Sequence, residues 1–100
     1  MPKGYVIFAE NIHDEAMHQG YIMRAAGTVM GYGGNAIVVN DGGDVIEGEW
    51  PYGRTVILEF PSVEKAKEWY DSADYQAIVG ERHASTTSNA VIVPGFEMPG

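Results

Sequence analysis

Glu59 and Arg54 are the residues of this sequence whose types and surroundings are best suited to chemistry. Glu59 sits in Val56-Ile57-Leu58-Glu59-Phe60, and its carboxylate is expected to point into an apolar layer or pocket. Burial there raises a carboxyl pKa and makes a general acid or base near neutral pH. The competing reading is structural: Glu59 neutralised by Arg54, Arg82 or a backbone donor in an ion pair without turnover. Arg54 opens the same run, where a guanidinium can hold a carboxylate or enolate in a two-pronged fork. It can equally bind Glu47, Glu49 or Glu59. Tyr5, Trp50 and Tyr75, with Arg82, are candidates for the wall of a ligand pocket, while core packing is the commoner use of such aromatics. The chemistry consistent with this set is proton transfer on a small, partly apolar, oxygenated molecule, with Glu59 moving the proton and Arg54 orienting an anionic or enolising oxygen. The alternative is a metabolite-binding or structural protein without turnover.

Other chemistries lack their residues. His13 and His18 are five apart, which on a helix turns them about 140° from one another, so they do not form an i, i+4 zinc pair. They and His83 are expected on the surface, and no metal, haem or nucleotide cofactor is expected. Asp41-Gly-Gly-Asp44 lacks the twelve-residue loop and terminal glutamate of a calcium site and reads as a turn. Tyr32-Gly33-Gly34-Asn35 is no phosphate loop, and Ser62, Ser72, Ser85 and Ser88 sit in no nucleophile elbow. With no cysteine, the chain has neither disulfides nor thiolates.

The elements that must position these residues follow from periodicity. Tyr5–Ala9 is a strand. His13-Asp14-Glu15 places acids at a helix start, and Ile22, Ala25, Ala26 and Val29 mark one apolar face of a helix running to about Met30. Gly20 and Gly27 weaken that helix by about 1 kcal/mol each. Asn35–Asn40 is a second strand, Asp44 to Trp50 continues extended, and Arg54–Phe60 is the clearest strand of all. Pro61-Ser62 stops it and caps a helix to Trp69. Asp71-Ser72 breaks that helix, Ala73 to about His83 resumes it, and Asn89–Val93 is the last strand. The order β-α-β-β-α-β is the ferredoxin-like α+β arrangement, an antiparallel sheet with helices on one face. Tyr5–Ala9, Thr55–Phe60 and Ala90–Val93 are apolar on both alternations, yet two helices cover one face only. A second copy, sheet against sheet, is the expected cover.

At 100 residues, 45% hydrophobic and 20% charged, the chain is expected to be a single domain over 1–94 with a tail at 95–100. A net charge of −8, with six scattered bases, argues against nucleic acid and anionic membranes as partners. No apolar run approaches the ~20 residues of a membrane span and no secretory leader is evident, so a cytoplasmic protein is expected.

Tyr32-Gly33-Gly34, Glu47-Gly48-Glu49-Trp50-Pro51, Arg54, Glu59-Phe60-Pro61-Ser62, Trp69-Tyr70-Asp71-Ser72 and Tyr75-Gln76 occur in an order that resembles the bacterial family labelled domain of unknown function thirteen-thirty. That family is a branch of the dimeric α/β-barrel superfamily, and the resemblance spans about residues 4 to 94. It implies a ferredoxin-like subunit paired as a dimeric α/β barrel, and homodimer formation. The superfamily includes cofactor-free quinone-forming monooxygenases, haem-degrading enzymes and muconolactone isomerase-like proteins. A cofactor-free isomerase or monooxygenase is therefore the activity the resemblance suggests. Asn40-Asp41-Gly42-Gly43 is more polar than the family pattern, and Gly80-Glu81 is expected to interrupt the last helix.

Overall fold

The structure is a computed structural model that describes residues 2–97. Eight elements follow one another: β1 (Gly4–Ile12), α1 (Glu15–Gly31), β2 (Asn35–Asp41), β3 (Arg54–Phe60), α2 (Val63–Asp71), α3 (Ala73–Gln76), α4 (Val79–Ser85) and β4 (Thr86–Pro94). The strands form one antiparallel sheet in the order β2-β3-β1-β4, the α+β ferredoxin-like arrangement. Of the tail at 95–100, Met98–Gly100 lie outside the described residues; Gly95 N–H still donates to Lys3 C=O at 2.7 Å, continuing the β1–β4 pairing.

Local chemistry fixes the element ends. Asp14 accepts from Met17 N–H at 3.1 Å to cap α1, and Ser62 accepts from Lys65 N–H at 3.1 Å to cap α2. Ser72 both ends α2 and caps α3, accepting from Tyr75 N–H at 3.1 Å. The last helical stretch breaks at Ala77 and Ile78 rather than at Gly80-Glu81, which lie within α4. After α1 the chain turns at Gly33, φ +77°, and Gly34 lies so close to the Phe60 ring that a Cβ there would come within 2.5 Å of it.

The expected extension of the sheet through Asp44–Trp50 does not form. Residues 42–53 leave the sheet, with positive φ at Gly42 and Gly48, and Gly42 N–H donates to Gly53 C=O at 2.7 Å to close the base of the excursion. Glu47-Gly48-Glu49 carries no apolar alternation that packing could hold in a ladder.

Pleating divides the sheet residues into two sets. On the helix side, Val6, Phe8, Val56, Leu58 and Phe60 are buried against Tyr21, Ala25 and Val29 of α1, Ala66 and Trp69 of α2, Tyr75 of α3 and Val79 of α4. Trp69 is fully buried, its ring 4.1 Å from Tyr75 and 5.4 Å from Phe60, and its indole N–H donates to Thr28 Oγ1 at 3.0 Å. On the other side Tyr5, Ile7, Ala9, Val38, Ile57 and Val93 are only half-buried, because no helix lies over them. Among the described residues no helix is long and apolar enough to cross a membrane.

Candidate functional site

The helix-facing alternation of β1 runs Gly4, Val6, Phe8, Glu10, so an acid falls in phase with three residues buried in the core. Register carries that position across the whole sheet: Asp41 pairs with Arg54, Arg54 with Glu10, and Glu10 with Ser88. Residues in register on neighbouring strands project to the same face, so these four make one polar row beneath α1. The adjacent row, Val39, Val56, Phe8 and Ala90, contains no polar side chain.

The row is an ion network. Arg54 Nε lies 3.3 Å from Glu10 Oε1, and its Nη1 lies 3.3 Å from Asp41 Oδ1. Glu10 is 3% exposed and His18 4%, with His18 Nε2 at 3.9 Å from Glu10 Oε1. Two buried nitrogens, His18 Nε2 and Arg54 Nε, make no hydrogen bond within the described residues, although both face the same carboxylate oxygen. Burial pushes the His18 imidazole below its ordinary value, against the opposing pull of Glu10 and with a contribution from Arg54. His18 is therefore neutral near pH 7, one ring nitrogen a donor and the other an acceptor.

Glu10 and Arg54 of this network line a cavity of about 310 Å³ between α1 and the β2–β3 half of the sheet. Phe8, Tyr21, Ile22, Val56, Leu58 and Trp69 supply its apolar walls, and Glu10 and Arg54 its polar end. A second, polar hollow of about 420 Å³ adjoins it through the shared Glu10, Ile22 and Arg54, with His18 and Asp41 on its rim. An apolar chamber with a few convergent polar groups at one end is the usual form of a small-molecule site.

The predicted site residues are scattered by the fold. Arg54 alone of the six lines this cavity. Glu59 is an odd number of residues along the same strand, so it faces the opposite side of the sheet: Lys3 Nζ lies 3.2 Å from its Oε1 and the Tyr5 hydroxyl donates to its Oε2 at 3.1 Å. The expected Arg54–Glu59 ion pair therefore does not form; each has other partners. The bond to Glu59, with some burial, raises the Tyr5 phenol above its ordinary value. Trp50 lies on the excursion, more than half exposed, with its indole N–H donating to Thr55 Oγ1 at 3.1 Å. Tyr75 and Arg82 are buried in the core rather than in the wall: Arg82 Nε donates to the Tyr75 hydroxyl at 3.2 Å, and the Tyr75 and Tyr21 hydroxyls are 2.7 Å apart. Burial pulls the Arg82 guanidinium down, and the phenols of Tyr75, Tyr21 and Tyr70 more than offset it. Of the histidines expected at the surface, His13 and His83 are exposed and His18 is buried, because it falls in phase with Ile22, Ala25 and Val29. Among the described residues no three His, Asp or Glu side chains gather as a metal site.

Glu10 and His18 are the site residues that sequence reasoning misses. Both carry a signal: each is the one ionisable member of a regular apolar alternation, period two for Glu10 and helical for His18.

With this architecture in view, the comparisons define first a class and then a family. The Rhodopseudomonas palustris protein of unknown function superposes with a TM-score of 0.80 at 14% identity, covering 97% of this chain and 85% of that one. SnoaB, a cofactor-independent oxygenase from Streptomyces nogalater, gives 0.69 at 9% identity over 98% and 97%. A dabb-family protein with a ferredoxin-like fold from Mesorhizobium loti gives 0.63 at 11% over 97% and 100%. At these identities the likeness is one of fold, the ferredoxin-like α+β fold. Residues 3–96 match the family described as Domain of unknown function (DUF1330), and the chain belongs to that family. No curated protein matches the chain.

Proposed function

We propose that the cavity beneath α1 binds a small, largely apolar molecule bearing a hydroxyl group, and that Glu10, His18 and Arg54 hold that group and move its proton. The observation that carries this is the convergence of Arg54 Nε and His18 Nε2 on one buried carboxylate oxygen, at 3.3 and 3.9 Å, where the apolar chamber that Glu10 and Arg54 line adjoins the polar hollow that His18 lines. A hydroxyl is both donor and acceptor, so one such group placed among the three can give its proton to Glu10 or His18 and accept from Arg54. Removing a proton from a phenol or enol is a first step that a tautomerising isomerase and a cofactor-free monooxygenase share. The fold of the Streptomyces oxygenase supports the second only as analogy.

Arg54 keeps its place in this reading with a changed role. Glu10 already neutralises it, with exposed Asp41 as a second partner, so it positions the proton acceptor more than it attracts an anion. Glu59 belongs with the uncovered sheet face, whose half-buried Tyr5, Ile7, Ile57 and Val93 support a homodimer packed sheet against sheet. Light scattering is expected to give twice the 10.9 kDa chain mass, and a monomer at micromolar concentration overturns the dimer.

The site is tested by thermal shift with 1-naphthol. The unaltered protein is expected to melt higher with the ligand, Glu10→Gln and His18→Gln to lose that increment, and Glu59→Gln to keep it. Loss of the increment in Glu59→Gln alone would return the function to the opposite face. Binding without turnover of any hydroxylated aromatic under air would favour the metabolite-binding alternative.

A further inference from the structure

We infer that Arg82, acting through Tyr75 and Tyr21, turns the Tyr21 wall of this cavity into a seat for a ligand oxygen that gains negative charge. The inference rests on the cavity proposed above and adds a second polar contact to it. It makes the ligand a hydroxy-carbonyl compound, whose hydroxyl meets Glu10 and His18 and whose conjugated carbonyl oxygen meets Tyr21.

The starting point is a buried cation with no anion beside it. Arg82 is 3% exposed, and among the described residues no carboxylate comes within 4.0 Å of it. None of its neighbours is an acid: Nε donates to the Tyr75 hydroxyl at 3.2 Å, Nη1 to Ser88 Oγ at 2.7 Å, Nη2 lies 3.4 Å from His83 Nε2, and the guanidinium stacks 5.0 Å from the centre of the Phe8 ring. Arginine stays charged in such a place, and a buried charge without a counter-charge is costly. The other charges enclosed on this side of the sheet are buried Glu10 and partly buried Arg54, which cancel, while the second partner of Arg54, Asp41, stands in solvent. One positive charge is therefore left over in the interior, and a negative oxygen in the cavity is what would balance it.

Hydrogen-bond accounting shows how that charge reaches the cavity. Three donors, Arg82 Nε–H and the two phenol O–H groups, serve two phenol oxygens 2.7 Å apart. Arg82 donates to Tyr75, one O–H joins the two tyrosines, and the other O–H has no protein acceptor among the described residues. The Tyr75 oxygen already accepts from Arg82, and a hydroxyl that accepts from a charged donor gives the stronger hydrogen bond in its turn, so in the relay we infer Tyr75 donates to Tyr21 and the Tyr21 O–H is left for a ligand. Tyr21 lines the cavity, whereas Tyr75 does not. Burial holds the Tyr21 hydroxyl far above the ordinary phenol range, so it remains a donor at any working pH. In the reaction the ligand O–H bond breaks, its proton passes to Glu10 or His18, and the electron pair delocalises onto the carbonyl oxygen at Tyr21. No oxidant or reductant enters this step.

Two probes of similar size separate the ideas: 4-hydroxybenzaldehyde, a phenol with a conjugated carbonyl, and 4-ethylphenol, which has none. Calorimetric titration is expected to show the aldehyde binding about tenfold tighter, and its phenolate absorbance is expected to appear at lower pH when bound than when free. Tyr21→Phe and Tyr75→Phe keep their rings and are expected to lose that preference and that spectral shift, with 4-ethylphenol binding unchanged. Equal affinity for the two probes, or a preference that survives Tyr21→Phe, overturns the inference and leaves the cavity reading intact. Failure of both probes to bind overturns the cavity reading and the inference with it.

Discussion

The two faces of the same four strands have opposite fates. On β1, Val6, Phe8 and Glu10 look toward the helices and are buried, while Tyr5, Ile7 and Ala9 look away and are half-buried; on β3, Val56 and Leu58 differ from Ile57 and Glu59 in the same way. Each face carries a carboxylate inside an apolar strand. Glu10 ends beneath a helix, held by Arg54 and beside His18; Glu59 ends on the uncovered face, held by Lys3 and Tyr5. Residue type and strand context do not separate the two acids. The side of the pleat does, because only one side is roofed by helices that exclude water and leave room for a cavity.

Replacing a buried aromatic on the roofed face should have the largest effect. Trp69→Ala removes a fully buried ring packed on Phe60 and Tyr75 and is expected to cost about 3–5 kcal/mol in urea unfolding. A loss under about 1 kcal/mol would mean that the roofed face is no better packed than the open one.

His18 sharpens the comparison through pH. Its pKa is lower folded than unfolded, so below about 6.5 the unfolded chain binds more protons and stability falls with falling pH. The unaltered protein is expected to lose melting temperature between pH 7 and 5, and His18→Gln to lose visibly less. Parallel curves for the two proteins would place His18 in solvent and break the contrast with exposed His13 and His83.

The smallest effect belongs to the open face. Lys3 is largely exposed, so its pair with Glu59 is worth roughly 0–1 kcal/mol, and Glu59→Gln should change subunit stability by no more than that. A larger loss by denaturant titration would make Glu59 as deeply embedded as Glu10.

Most of the fold is legible in the sequence. The apolar run at Arg54–Phe60, the Ser62 cap and the Asp71-Ser72 break lie where the elements begin and end, while β1 runs past the expected Ala9 to Ile12 and β4 starts at Thr86 rather than Asn89. The site is much less so. Arg54 is conspicuous as a lone arginine opening a strand, but its partner Glu10 looks like the polar end of a short run. Only when the alternation is followed two residues further does Glu10 fall beneath the helices. For His18 the telling measure is its phase with Ile22, Ala25 and Val29, not its distance from His13. For Asp44–Trp50, extended propensity without an apolar alternation is too little to join a sheet.

Periodicity and capping are local, so the sequence by itself determined the order of the strands and helices, the place of most of them, and that the sheet would be apolar on both sides. Which side the helices roof, and which charges meet there, is settled by strand register and crossover packing between residues far apart in the chain. Glu10 meets Arg54 because β1 pairs with β3, and Tyr21 meets Tyr75 because α1 packs beside α3. No spacing in the sequence encodes those distances, because they exist only once the chain has closed on itself.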